Sequence, residues 1–180
     1  MVKRIVIIGP ESTGKSTLCN QLAEHFGTLW CPEYAREYLL TNGKEYSYDN
    51  LLTIAKGQIA LEDKYALQLE QESTIESPLL FIDTDMYVMK VWCEYVFGKC
   101  HPFIINEIAE RKYDLYLLCN IDLPWTMDEL REYPDEQPRR ELYKIYKDIL
   151  LNQQVPFVEI SGVEQERTDK AIEAVNQFSI

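Results

Sequence analysis

The sequence predicts an α/β fold, a three-layer sandwich around a mainly parallel five-stranded sheet. Three observations predict it. Strand-sized apolar runs alternate with helix-period segments along the chain, the pattern of successive βα units. The first run, Ile5-Val6-Ile7-Ile8, is continuously apolar, as in a strand covered on both faces. It leads straight into Gly9-Pro10-Glu11-Ser12-Thr13-Gly14-Lys15-Ser16-Thr17, which fits the phosphate-loop pattern G-x-x-x-x-G-K-[ST] between a strand and a helix.

The elements follow in order. Residues 4–8 form the first strand, and a helix runs from the loop to residue 26. Leu18, Leu22 and Phe26 share its face, and Gly27 stops it. Residues 28–31 read as a weaker strand ended by Pro32, with Glu33-Tyr34-Ala35-Arg36-Glu37 at its carboxyl end. Asp49 is the expected N-cap of a long helix from residue 51, where Leu51, Ala55, Ile59, Ala66 and Leu69 lie near one stripe. Gln58 and Glu62 interrupt the stripe, either as boundary residues or as polar groups looking into a cleft. The strand over residues 78–82 delivers Asp83-Thr84-Asp85, and a helix over 86–97, apolar on more than one face, stops at Gly98. A short helix over 103–111 and a strand over 114–119 come next. A helix over 139–152, a strand over 156–160 and a closing helix over 167–178 complete the series. Residues 122–140 break the alternation: Pro124, Pro134, Pro138, many charges and three arginines mark a lid.

At 180 residues the chain suits a single domain spanning residues 1–180. The loop begins at residue 9, so neither a leader nor a preceding domain is expected. Apolar runs are too short for a membrane span. The five cysteines show no C-x-x-C pair and no histidine cluster, which fits thiols in a reducing cytoplasm rather than a zinc site. A net charge of −12 disfavours nucleic acid and anionic membranes as partners. The expected partner is a small molecule, and a homo-oligomer is compatible with the sequence.

The loop implies chemistry. Its glycines let backbone N–H groups converge on phosphate oxygens, and the helix N-terminus adds its positive dipole end. Gly9, Glu11, Ser12, Thr13, Gly14, Lys15, Ser16 and Thr17 are thus the candidate nucleotide-binding residues. Lys15 serves the β- and γ-phosphates, and Ser16 with Asp83 the Mg²⁺ ion. An aspartate at a strand end also starts turns or caps helices, and Asp85 is the better cap. Glu33 lies where a kinase needs a carboxylate to receive or orient the proton of the attacking hydroxyl. Arg36 either holds a phosphate or acceptor hydroxyl, or pairs with Glu33 or Glu37. One of Arg131, Arg139 and Arg140 is expected to close over the transferring phosphoryl group, the others being solvated.

Taken together and in order, several segments resemble a known family over essentially the whole chain. They are the loop with its Pro-Glu-Ser-Thr interior, residues 33–37, Phe81-Ile82-Asp83-Thr84-Asp85, Gly98-Lys99 with His101-Pro102-Phe103, and Leu130-Arg131. The chain resembles the ribosylnicotinamide kinase domain of NadR-type NAD-salvage proteins, within the P-loop kinases. The resemblance implies ATP-dependent phosphorylation of the 5′-hydroxyl of nicotinamide riboside. It implies that Lys15 and Ser16 serve ATP and Mg²⁺ and that Glu33, Arg36, Asp83 and Asp85 line the acceptor site. With the reading of the residues, Lys15, Glu33, Asp83 and Arg131 are the expected catalytic set, and Tyr34 joins the acceptor residues. Two departures stand out. The family's nucleotidyltransferase domain does not precede this one, so adenylyl transfer and DNA binding are not expected. The family also commonly has a tryptophan where Pro32 stands, and Trp30, Tyr34 or Trp125 would have to replace it. Two other readings remain, a kinase for another nucleoside or metabolite and a nucleotide-dependent regulatory switch. Glu33 and the arginine lid favour a kinase.

Overall fold

Five strands, β1 (Lys3–Ile8), β2 (Leu29–Cys31), β3 (Leu79–Asp83), β4 (Leu115–Cys119) and β5 (Phe157–Ile160), pair in parallel throughout. Their order is β2-β3-β1-β4-β5, so the strand carrying the phosphate loop is central. The computed structural model describes residues 1–131, 133 and 135–179. Among these residues seven helices connect and follow the strands: α1 (Lys15–Phe26), α2 (Tyr34–Asn42), α3 (Tyr48–Glu72), α4 (Met86–Phe97), α5 (Pro102–Glu110), α6 (Glu136–Leu151) and α7 (Glu164–Ser179). Among the described residues no helix is long and apolar enough to cross a membrane.

The period-two geometry of the strands makes the layers. Ile5, Ile7, Phe81, Leu115 and Leu117 face one side, packing with Leu18 and Leu22 of α1 and Ala171 and Val175 of α7. Val6, Ile8, Leu80, Ile82, Tyr116 and Leu118 face the other, packing with α3, α4 and α6 through Leu69, Val91, Leu142 and Tyr146. A third cluster has its buried residues on helices and joins α2, α3, α4 and α5 through Leu39, Ile54, Met89 and Ile104. The two apolar faces of α4 follow from this: Val91 meets the sheet-side core, while Met86, Met89 and Cys93 meet the helical one.

Several boundaries differ from the sequence reading. The sequence reading places no helix at α2, because Pro32 precedes it and nine residues of mixed character give little local signal. Its order comes from burying Ala35 and Leu39 against neighbours, which is how short helices are held. Ser47, not Asp49, caps α3. Its hydroxyl accepts from Asn50 N, while Asn50 Oδ1 accepts from Ser47 N at 2.8 Å. Asp49 lies within the first turn, where its charge still suits the helix dipole. The helix α6 starts at Glu136, since Pro138 is tolerated in a first turn. The irregular lid therefore ends at Asp135, and Arg139 and Arg140 are helical rather than part of it. Pro134 lies outside the described residues.

Gln58 and Glu62 are not boundary residues; both are buried. Glu62 Oε1 accepts from Arg4 and Arg111 at 2.9 Å each, and Oε2 accepts from the Tyr113 hydroxyl at 3.0 Å. Desolvation pushes this carboxyl up, and the Arg111 and Arg4 charges oppose that shift. The cluster pins α3 to the start of β1 and to the approach to β4. Glu62→Ala removes the shared acceptor, and we expect it to cost about 3 kcal/mol in chemical denaturation. Removing the exposed pair Lys170–Glu166 should cost no more than about 0.5 kcal/mol in the same measurement.

Candidate active site

The phosphate loop leaves β1 at a point where the backbone has no room for a side chain. Gly9 adopts φ 147°, and a Cβ there would lie 2.8 Å from the carbonyl oxygen of Cys119. Thr13 Oγ1 closes the loop by donating to the Pro10 carbonyl at 2.7 Å, and Lys15 Nζ donates to the same oxygen at 3.0 Å. No side chain caps the N-terminus of α1, so its first N–H groups remain for an anion.

Asp83 stands at the end of β3 and accepts from the Ser16 hydroxyl at 2.5 Å. Burial pushes its carboxyl up, while Lys15, Ser16 and Thr84 pull it down. A hydroxyl beside a carboxylate is a hard-oxygen pair that fits Mg²⁺, an ion that takes its remaining ligands from phosphates and water. Among the described residues there is no larger carboxylate, histidine or cysteine cluster of metal-binding kind.

Glu33 occupies the N-cap position of α2 but makes no capping bond, and it lines the cleft. Desolvation and then the Asp83 charge push its carboxyl up to about 7, against Lys15 and Arg36. A carboxyl tuned in this way suits proton transfer near neutral pH. Arg36 also lines the cleft, but it pairs with neither Glu33 nor Glu37. Its guanidinium takes the Asp128 carboxylate in two bonds of 2.9 and 3.2 Å, tying α2 to the lid.

The cleft holds about 500 Å³ and is lined by two unlike sets of residues. One is the phosphate loop, residues 9–17. The other is largely apolar: Leu39, Tyr46, Val88, Val91, Trp92, Tyr95, Leu142 and Tyr146. Trp92 Nε1 donates to the Tyr46 hydroxyl at 2.9 Å, and the two rings meet edge to face. Lid residues Asp128, Glu129, Leu130, Arg131 and Tyr133 line the cleft as well.

The lid is docked on the loop itself. Glu11 Oε1 accepts from Tyr133 N at 2.6 Å and from Trp125 Nε1 at 3.4 Å, and Ser12 Oγ accepts from Thr126 N at 3.0 Å. These two loop side chains thus hold protein. Arg131 lines the cleft and donates to the Thr126 carbonyl. Arg140 is exposed and paired with Glu136. Arg139 is buried rather than solvated. Its Nη2 reaches the Ser12 and Leu123 carbonyls at 3.4 and 3.3 Å, and burial lowers its pKa.

Other expected residues fall elsewhere. Asp85 is buried and caps α4, accepting from Tyr87 N at 3.0 Å, Val88 N at 3.3 Å and the Tyr116 hydroxyl at 2.8 Å. Burial pushes its carboxyl up to about 7, and it does not line the cleft. Tyr34 packs its ring on Gly57, Trp30 joins the core beside α1, and Trp125 bonds Glu11. The aromatic groups that line the cleft are Tyr46, Trp92, Tyr95, Tyr133 and Tyr146, which the sequence reading did not single out. It also missed Arg167. This buried guanidinium bonds Thr13 O at 2.9 Å, Asn120 O at 3.1 Å, Gly162 O at 3.1 Å and Asp122 at 2.8 Å. Its position near the start of a helix gave no signal of that role.

Loop, paired serine and aspartate, and a central parallel strand define a P-loop nucleotide-binding domain of nucleoside-kinase-like topology. A model of the AAA domain family matches residues 4–167, and the chain belongs to that family. The trifunctional NAD biosynthesis/regulator protein NadR of Escherichia coli (strain K12) is 33% identical over 185 residues, covering 98% of this chain and 43% of that protein. The chain thus spans less than half the length of that relative. A crystal structure of NadR protein in complex with NR has a similar fold, with a TM-score of 0.80 at 24% identity, covering 98% of this chain and 49% of that one. A second, in complex with NAD and AMP-PNP, gives 0.73 at 24% identity over the same shares.

Gly9→Ala tests the loop geometry. It should weaken ATP binding at least about tenfold in titration calorimetry, because the loop must shift to clear Cys119. Gly27→Ala, where the added Cβ meets nothing within 4 Å, should leave ATP affinity unchanged.

Proposed function

We propose that this chain is an ATP-dependent kinase that phosphorylates the 5′-hydroxyl of nicotinamide riboside, giving nicotinamide mononucleotide. The observation that carries the reading is one cleft lined by the phosphate loop, by Glu33 and by a set of aromatic residues. The NadR relative, and the NadR structures holding NR and AMP-PNP, support the same acceptor and donor. So does the chemistry of the acceptor. A pyridinium riboside is cationic, and Trp92, Tyr46 and Tyr95 offer electron-rich rings to a cation. Asp128 and Glu129 also line the cleft, each paired with a cation there, Arg36 and Lys44.

In this reading residues 1–180 act as one kinase domain, with residues 122–135 as its lid. The triphosphate lies along the loop, its oxygens on backbone N–H groups and on Lys15 once that amine leaves the Pro10 carbonyl. Ser16 and Asp83 would hold Mg²⁺, which neutralises charge on the β- and γ-phosphates. The 5′-oxygen attacks the γ-phosphorus, the bond to the bridging β-oxygen breaks, and ADP leaves. Glu33 receives the proton. The transition state is loose, so positioning and charge matter most. Arg131 supplies charge from the lid, and the lid excludes water. Five free thiols suit a reducing cytoplasm.

The test is Mg²⁺-dependent ATP turnover against a nucleoside panel. Nicotinamide riboside should give the highest turnover over an acceptor-free background. Turnover with a different nucleoside alone would replace the acceptor, and nucleotide-dependent partner binding without any acceptor turnover would point to a switch. The pH profile tests Glu33. Its carboxyl titrates near 7, so it is a proton acceptor above that pH and protonated below it. The rate should therefore fall as pH drops through about 7. Glu33→Gln should lose that limb and be slower by a factor on the order of 10² to 10⁴.

A further inference from the structure

Phosphoryl transfer to a hydroxyl requires Glu33 and Asp83 to keep a fixed separation, yet β2 and β3 stop pairing with each other just before them: Asp83 stays paired with Ile7 of β1, while Glu33 lies beyond the end of β2. The last β2–β3 partners are Cys31 and Ile82. Pro32 follows without an N–H, and β2 turns into α2 at Glu33. Something other than the sheet must hold the two strand ends together.

Gln58 lies there, in the middle of α3 and 1% exposed. Its Oε1 accepts from Tyr34 N at 2.7 Å. Its Nε2 faces the carbonyl oxygens of Pro32 and Asp83, each at 3.4 Å, and the Cys31 sulfur at 3.6 Å. One amide thus grips the residues on either side of Glu33 and the backbone of Asp83. Only an uncharged amide offers an acceptor and two donors on one terminal group. Ionised glutamate lacks the donors and lysine lacks the acceptor. The preceding residue makes room for the grip. A Cβ on Gly57 would lie 2.0 Å from Cε1 of Tyr34, so the ring occupies the space of a missing side chain. Glycine inside a helix costs about 1 kcal/mol against alanine, and the close approach of this ring accounts for its presence. Gln58 itself does not line the cleft.

We propose that Gln58 is a positioning residue for phosphoryl transfer: by joining the ends of β2 and β3 it fixes Glu33 relative to the Ser16–Asp83 pair, without touching nucleotide or acceptor. This rests on Glu33 being the proton acceptor of the proposed kinase. Misplacement of a reacting group by about 1 Å can cost 10²-fold in rate, so the effect belongs on kcat and not on nucleotide affinity.

The experiment is a double-mutant cycle in the full chain, with nicotinamide riboside and Mg²⁺-ATP, over Glu33→Gln, Gln58→Met and the pair. Gln58→Met should lower kcat at least about tenfold, leave KM for ATP within about twofold, and displace the acid limb of the pH profile. The double variant should be no slower than Glu33→Gln alone, because a residue acting through Glu33 has nothing left to position. Wild-type kcat in Gln58→Met, or losses that multiply in the double variant, would overturn the proposal. Full turnover by Glu33→Gln would overturn it together with the reading beneath it, whereas a slow Glu33→Gln with multiplying losses overturns the positioning role alone. If Gln58→Met does not fold, Gly57→Ala takes its place in the cycle under the same criteria. It displaces the Tyr34 ring while leaving the glutamine in place.

Discussion

The parallel pairing of β1 with β3, which sets Ile7 beside Asp83, is the constraint on which the site depends. It puts the acid one residue short of the point where β1 becomes the phosphate loop, so Asp83 meets Ser16 at the first turn of α1. A slip of one residue would turn Asp83 to the opposite face of the sheet. The alternating apolar residues on both faces make such a slip costly. Strand order then brings in the other parts: β2 beside β3 supplies Glu33, and β4 on the far flank of β1 supplies Asn120 and the lid. This is the expected location of ligands in an open parallel sheet, outside the carboxyl ends of its strands.

The polar groups around this arrangement divide into those that hold protein and those that face the cleft. Arg167 joins the phosphate loop to two further strand ends, Glu62 gathers two arginines and a tyrosine, and Asp85 secures the start of α4. Buried and well partnered, these give the cleft walls a fixed shape. The lid is held differently. Its first residues, Asp122 and Leu123, are held by Arg167 and Arg139, and Leu130 and Tyr133 pack on the core; the rest of its contacts run to Glu11 and Ser12 of the loop and, through the Arg36–Asp128 pair, to α2. The Arg36 side chain is half exposed, so its pair with Asp128 is screened and easily exchanged. In the proposed kinase, exchange of this pair would let the segment move over a substrate more readily than the sheet can deform.

Much of this was legible in the sequence because the signals were strong and local. Continuous apolar runs marked the strands, the glycine and lysine spacing marked the loop, and Gly27 and Gly98 marked helix ends. What was not legible depended on tertiary contact. The helix α2 exists because Ala35 and Leu39 find partners. Ser47 outcompetes Asp49 because Asn50 completes a reciprocal cap. The aromatic wall was hidden since Trp92 and Tyr95 sit on a helix apolar on two sides, which reads the same whether a neighbour is protein or a cleft. Gln58 was seen as an interruption in a stripe. Its partners, on two strands distant in sequence, could only be supplied by the fold. Asp85 had a double reading, and the structure uses it as the cap.

The decisive measurement is a crystal structure of this chain with nicotinamide riboside and a non-hydrolysable ATP analogue. The riboside 5′-oxygen should lie roughly 3 Å from the Glu33 carboxylate and face the γ-phosphorus, with the pyridinium ring among Tyr46, Trp92 and Tyr95. A riboside bound outside this cleft, or seated in it with its 5′-hydroxyl turned away from the γ-phosphate, would rule out Glu33 as its proton acceptor.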